Sequence, residues 1–389
     1  MKIAILANNY GEPWAEGGKN NVRQVALALK ERHEVFIAGL GPATDRRSAD
    51  GLRVFRYRSP WYDNRFARLG YPLGYLNLLR LGKELVRTER PDVIFSYFET
   101  ASTAAVSVGL RGLALPECTL MHTVWSDWFT PTVLPVSHWM SEFVPQLVLN
   151  GRLASRLGLR GVDRILATSR HLAGRVESLG RTASFTPSGV DTRRFRPLPR
   201  IRERKPGDEF RIGYLGHMTY TKGVSLLLDA FEEIAELEPK ARLVLAAAGD
   251  FEESSLVRRR AHPRIELLGY VDAAEAFNSF DLTVLPRRYS YGTASYPNVV
   301  LESMACGTPV LTSRLPAIDE IITDGVDGFL FRPNDPGDLR GRLLALIRQP
   351  ELLVRAGAKA RERALALDWS LVIPAVVDEI ERCPSLSRA

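Results

Sequence analysis

The feature that most constrains this chain is an alternation that runs twice. Short apolar, β-branched runs take turns with helix-length amphipathic stretches. "KIAILA" is followed by "GGKNNVRQVALALKER", where Val22, Val25, Ala26 and Leu29 fall at helical spacing, and then by "EVFIAG". "DVIFSYF", "CTLMHTV" and "DRILATS" continue the series. Parallel strands need helical crossovers, and the helices bury both faces of the sheet, so each strand reads as an unbroken apolar run. Near residue 190 the texture changes. "TPSGVDTRRFRPLPRIRERKPGDEF" is rich in proline, glycine and charge, as loops and linkers are. The alternation then restarts with "FRIGYLG", "GVSLLLDAFEEIAEL", "RLVLAAAG", "RIELLGY", "AAEAFNSF", "DLTVLP", "NVVLESMAC", "TPVLTS" and "GFLF". One long charged helix is expected over roughly 336–365, and an amphipathic one in "DWSLVIPAVVDEIERC". The chain therefore reads as α/β, with two doubly wound Rossmann-like domains facing a central cleft. Its 389 residues suit two or three domains at ~150 residues each.

Composition narrows the function classes. A hydrophobic share of 45% with 25% charged residues is that of a globular protein with full-sized cores. Cys118, Cys306 and Cys383 are odd in number and far apart, which gives neither a disulfide framework nor a metal-type pair. A reducing, cytoplasmic setting is expected. The N-terminal apolar run is too short for a signal peptide, and no segment reaches the ~20 apolar residues of a membrane span. Residues 1–200 hold 28 Lys and Arg against 17 Asp and Glu; residues 201–389 hold 24 against 28. The basic half fits an anionic membrane surface or an acidic substrate, or is only a solvated face. The arginines are dispersed, and no nucleic-acid partner is expected. "NRFARLGYPLGYLNLLRLGKELVR" mixes cations with Leu, Tyr and Phe. It reads either as a peripheral contact with an anionic bilayer, at the inner face of the membrane, or as a core helix with arginines on its wet side.

Several short segments carry chemistry. Gly17 and Gly18 sit between a strand and a helix, where a backbone can approach a ligand and a helix N-terminus attracts phosphate. They do not form G-x-G-x-x-G, so a dinucleotide site is poorly supported. "GYLGHMTYTKG" puts Gly216 and His217 at a strand end and Lys222 at a helix start, as a diphosphate clamp or as an exposed loop lysine. In "YPNVVLESMACGTPV", Glu302 is the one carboxylate in an apolar setting. It could accept both hydroxyls of a ribose, and a buried carboxylate needs partners. His122 ends an apolar strand, with Trp125 and Trp128 beyond it. No Asp-x-Asp pair offers a metal site, and no nucleophile–base spacing can be assigned.

In this order and spacing, these segments resemble the family-4 retaining glycosyltransferases of the GT-B fold (glycosyl transferases group 1). The most specific stretch is "YPNVVLESMACGTPVLTS" followed by "IDEIITDGVDGFLF"; "GHMTYTKGVSLLLDAF", "TPSGVDTRRFRP", the N-terminal glycine pair and "DRILATS" support it. The resemblance implies an acceptor-binding domain at 1–189, a nucleotide-sugar domain at 190–365, and a last helix at 366–389 that crosses back. It implies that Glu302 holds ribose, Lys222 grips the diphosphate, and His122 touches the donor sugar. Gly17 and Gly18 would lie near the diphosphate. Gly269, Tyr270 and Val271 would receive the base, while Pro297, Asn298 and Val299 open the helix bearing Glu302. It implies UDP- or GDP-sugar as co-substrate, no cofactor and no metal. It also implies same-face attack, with a donor phosphate oxygen taking the acceptor's proton.

Two positions depart from the family pattern. Eight residues before Glu302 a glutamate is usual, and this chain has Ala294. Five before Lys222 an arginine is usual, and this chain has His217, which lacks the guanidinium's fork and constant charge. The loop "PRRYSYGTASYPN" is longer than usual, so Arg287 or Arg288 is expected to supply the missing cation and Tyr289 and Tyr291 to reshape the pocket. The rival expectation is a degenerate, non-catalytic protein that binds a nucleotide-sugar or partners another glycosyltransferase. A two-domain epimerase would need cleft carboxylates that are not apparent.

Overall fold

The computed structural model describes residues 1–8, 10–12, 14, 17–41, 43–58, 67–98, 100–111, 118–127, 152–198, 209–247, 254–260, 262–290 and 293–383; of 67–76, 101–102, 111 and 152–154 it describes the backbone only. Trp128, Tyr291 and the linker at 199–208 lie outside these residues. The chain divides into two compact units, Met1–Pro187 with Val372–Ala389, and Ser188–Leu371.

In the first unit the order is β1 (Lys2–Leu6), α1 (Gly17–Lys30), β2 (Glu34–Gly41), β3 (Asp45–Ala49), β4 (Leu52–Arg58), α2 (Ala67–Thr88), β5 (Val93–Ser96), α3 (Thr100–Arg111), β6 (Thr119–Val124), α4 (Arg152–Leu159), β7 (Arg164–Ala167), α5 (Arg170–Glu177) and β8 (Ser184–Phe185). The sheet order is β3-β4-β2-β1-β5-β6-β7-β8. All its pairings are parallel except that of β3 with β4. Successive strand residues point to opposite faces, so β1 feeds two cores. Ala4 and Leu6 join Phe36, Ile94, Leu81, Leu85 and Val106. Ile3 and Ile5 join Ile37, Phe95, Val25 and Leu29 on the other face.

The second unit contains β9 (Phe210–Leu215), α6 (Val224–Leu237), β10 (Ala241–Ala246), α7 (Ser254–Arg259), β11 (Ile265–Leu268), α8 (Ala273–Ser279), β12 (Leu282–Leu285), α9 (Asn298–Ala305), β13 (Val310–Ser313), β14 (Phe329–Phe331), α10 (Pro336–Arg348) and α11 (Pro350–Leu365); α12 (Trp369–Glu381) follows. Its strands run β11-β10-β9-β12-β13-β14, all parallel. From Val372 on, α12 belongs to the first unit, where Val376, Val377 and Ile380 complete the second of the two cores.

One sequence expectation changes, one strand pair is new, and one open alternative is met. The long helix over 336–365 is two helices, with Gln349 between α10 and α11. Pro350 starts α11: it lacks an N–H, which costs nothing in a first turn but would break a continuing one. The strand pair β3–β4 was not read from the sequence. β3, "DRRSA", is polar and exposed, and it is held by arginines, with Arg46 stacked on Phe55 and Arg56 paired to Asp45. The basic segment at 64–87 forms most of α2. In its described part Leu78, Leu81 and Leu85 are buried while Arg80 and Arg87 are exposed. Those leucines are spent on the core, as in the core-helix alternative. No helix among the described residues is long and apolar enough to cross a membrane.

Candidate functional site

In an open parallel sheet the loops part where the strand order reverses, leaving a crevice at the carboxyl ends of two neighbouring strands. In the second unit that point lies between β9 and β12. β9 runs out into Gly216, His217 and Lys222; β12 runs out into Pro286, Arg287 and Arg288.

The two loops are in contact. Gly223 has φ 73°, and a Cβ there would collide with the Pro286 carbonyl oxygen. The Arg288 backbone N–H donates to the Thr221 carbonyl at 3.0 Å. Glycine is required for both reasons, the positive φ and the absent side chain. The turn seats Lys222 just before α6, whose first turn has neither a side-chain cap nor an acidic residue. N–H groups left uncapped at that end favour an anion. Lys222 is partly buried, and its ammonium has no hydrogen bond or ion pair among the described residues. Burial, reinforced by the charge of Arg287, pulls its pKa down to about 7.

The two neighbouring arginines have different surroundings. Arg287 is 2% exposed. One guanidinium nitrogen donates to Thr293 Oγ1, while Nε has no partner. Arg288 is tied to structure: it donates to Ser225 Oγ and Asn334 Oδ1, each at 3.1 Å, and lies 4.5 Å over the Tyr220 ring. Tyr289 lies near Tyr220, with ring centroids 6.5 Å apart.

α9 carries Glu302. Pro297 is its N-cap, without a side-chain cap, and Asn298 and Val299 form its first turn. Glu302 is partly buried, and no hydrogen bond or ion pair reaches its carboxylate among the described residues. Burial raises its pKa to about 7, against the opposing pull of Arg194. The helix is anchored at its other end, where Arg361 donates to the Ala305, Phe195 and Thr192 carbonyls. Through Arg361 the segment "TPSGVDTRRF" is tied to the end of "ESMACG". At the end of β11, Tyr270 is 67% exposed and Val271 partly buried. His217 is exposed and Ala294 partly buried. The second unit thus contains Lys222, Arg287, Glu302, Gly216, Tyr270 and Val271.

In the first unit Gly17 opens α1, and a methyl on Gly18 would meet nothing within 4 Å. His122, on β6, is buried among hydroxyls. It is 1% exposed. Thr100 Oγ1 and Thr103 Oγ1 each lie 3.2 Å from a ring nitrogen, and the Ser96 carbonyl 3.3 Å. Burial pushes its pKa down to about 4. Both ring nitrogens have hydrogen-bond partners, which tie His122 to β5 and α3. Sequence reasoning missed that hydroxyl cage, and it missed Thr293 and Arg194; single hydroxyls and a linker arginine give no pattern to read. It also missed Asp127, a buried carboxylate 3.3 Å from His171 Nε2. Among the described residues no three His, Cys, Asp or Glu side chains are grouped to hold an ion.

Comparison with known proteins places this arrangement. The family model "Glycosyl transferase 4-like domain" matches residues 16–186, and "Glycosyl transferases group 1" matches residues 209–349. A D-inositol 3-phosphate glycosyltransferase 2 of Catenulispora acidiphila is 30% identical over 244 residues, 57% of this chain and 56% of that protein. A phosphatidyl-myo-inositol mannosyltransferase of Mycobacterium leprae is 31% identical over 215 residues, 54% of this chain and 56% of that protein. The matches thus span little more than half the length of these relatives. Among solved structures, a sucrose-phosphate synthase from Thermosynechococcus elongatus superposes with a TM-score of 0.80 at 18% identity, covering 98% of this chain and 99% of that one. Anabaena HepE in complex with UDP-glucose superposes at 0.73 with 17% identity, covering 98% and 99%. The chain belongs to the group 1 glycosyltransferases, with the GT-B fold.

Proposed function

We propose that this protein transfers a sugar from a nucleotide-sugar to an acceptor hydroxyl, with retention of anomeric configuration and without a metal. The observation that carries the reading is the set of unsatisfied charges in the second unit. Among the described residues a partly buried lysine has no anion, and a partly buried glutamate has no donor. A nucleoside diphosphate supplies both, since its phosphates neutralise Lys222 and its ribose hydroxyls donate to Glu302. As the bond to the anomeric carbon breaks, negative charge grows on the leaving diphosphate. The lysine and the N-terminus of α6 stabilise that charge most when it is greatest, which lowers the barrier. A phosphate oxygen on the departing face can take the acceptor's proton, so no side-chain base is assigned. The names of the inositol relatives make myo-inositol phosphates and phosphatidylinositol the first acceptors to try.

The test is nucleotide release from UDP-, GDP- and ADP-sugars, with and without those acceptors, by the wild type and by Glu302→Ala. Release of one nucleotide, lost in the variant, supports the transferase. Ala294 and the exposed His217 favour a second reading, a donor-binding protein without turnover. It predicts calorimetric binding of a nucleotide-sugar and no release with any acceptor.

A further inference from the structure

We infer that Arg287, delivered by β12, is the second cation of the anion site whose first cation, Lys222, comes from β9. This deepens the proposed function and rests on it, because the anion in question is the diphosphate of the donor. The usual arginine of the β9 loop is absent, and the histidine at that place is exposed. The missing charge arrives instead from the other strand of the crevice.

Four observations converge on Arg287. First, the two loops touch on both sides of it, with Gly223 packed on the Pro286 carbonyl and the Arg288 N–H bonded to Thr221. That contact runs the backbone of Arg287 alongside that of Lys222. Second, Arg287 is buried, yet no carboxylate among the described residues pairs with it, and its Nε has no partner. A buried guanidinium without a counter-charge is costly to keep unless something else supplies the charge. Third, Thr293 holds one nitrogen of the fork, which fixes the group's direction. Fourth, Arg288 is already committed to Ser225, Asn334 and Tyr220. Burial also lowers the pKa of Arg287, to about 10, and the charge of Arg287 adds to the burial that lowers Lys222. Two like charges held together without an anion form a site waiting for one. A planar fork beside a point charge suits two adjacent phosphates.

The probe is inorganic pyrophosphate, titrated calorimetrically into the whole protein, with UDP and GDP alongside. Arg287→Met keeps the side chain's volume and removes its charge. Pyrophosphate affinity should fall at least tenfold while Tm holds or rises, and Arg287→Lys should recover most of the affinity. A structural arginine gives the opposite pattern, a lower Tm with affinity retained, and that result overturns the inference. If Lys222→Met abolishes pyrophosphate binding and Arg287→Met leaves it unchanged, the donor reading stands and this inference falls. If the wild type binds neither pyrophosphate nor any nucleotide, both fall. Should Arg287→Met fail to fold, Thr293→Val keeps the cation and removes its anchor. A drop of about threefold is then expected, and unchanged affinity overturns the assignment.

Discussion

At the scale of single residues, the candidate site is a place where stability is given up. Lys222 has a pKa lowered to about 7 by burial and by Arg287, and Glu302 has one raised to about 7 by burial. In each case the folded protein disfavours the charged form. The pH dependence follows with opposite signs. For Lys222 the folded pKa lies below the ordinary 10.5, so the cost is fully present below pH 7 and disappears as pH rises toward that value. Lys222→Met should therefore raise the Tm of the ligand-free protein at pH 6 and leave it unchanged near pH 10. For Glu302 the folded pKa lies above the ordinary 4.5, so the cost is absent below that pH and complete above 7. Glu302→Gln should stabilise at pH 8 and not at pH 4. Thermal scans across pH check both, and a fall in Tm at the stated pH would refute the corresponding claim. The same groups shape binding. Donor affinity should rise toward pH 7 as Glu302 ionises and fall above it as Lys222 loses its proton, giving a bell centred near 7. Glu302→Gln should remove the lower limb and Lys222→Met the upper.

At the scale of elements, the contact between the β9 and β12 loops is the feature on which the site depends. Gly223→Ala places a methyl against the Pro286 carbonyl at a positive φ. The backbone strain alone costs about 1–3 kcal/mol, and the collision adds to it. The variant should lower Tm and lose nucleotide binding together; binding at wild-type affinity would show that the loops can part without consequence. Most elements were legible in the sequence because buried parallel strands are nearly all apolar. "KIAIL" and "LTVL" have no other reading in such an alternation. β3 was hidden because it lies at the sheet's edge, where Arg46 and Arg56 do the holding. The break at Gln349 was passed over because Pro350 sits inside an otherwise helical pattern, and a proline at a helix start looks like a proline within one. Lys222 and Glu302 could be named from the sequence because each is a charge in an apolar or glycine-rich setting, whereas Arg287 could not be told from its neighbour Arg288 until their different surroundings were seen. The cage around His122 could not, since Ser96, Thr100 and Thr103 come together only through the pairing of β5 with β6 and the packing of α3.

At the scale of the whole molecule, the last helix shows that the cores do not follow chain order. The chain leaves the first unit at Pro187 and returns at Val372, and the two passes are bound to each other. Val190 N–H donates to the Leu367 carbonyl at 2.9 Å, and Trp369 N–H to the Val190 carbonyl at 3.1 Å. Thr192 donates to Asp368 through its N–H and its hydroxyl. Although burial pushes Asp368 up, the bonds from Ser370 and Thr192 hold its pKa at about 2. Beyond this crossing, Val376, Val377 and Ile380 enter the core that β1, α1 and β5 build in the first hundred residues of the sequence, on the face opposite α2 and α3. Cys383 Sγ lies 3.4 Å from Met121 Sδ on β6. A truncation at the C-terminus would therefore be felt at the N-terminus. Ile380→Ala removes a fully buried side chain, and such changes cost about 2–5 kcal/mol. Hydrogen exchange should show the loss of protection in β1, β5 and β6, while β9, β10 and β12 keep theirs. Pyrophosphate affinity, which depends on Lys222 and Arg287 in the other unit, should change less than twofold. If exchange rises equally in both sheets, the two units unfold as one body. The site's stability would then depend on the last helix, even though no residue of that helix lies near Lys222 in the chain.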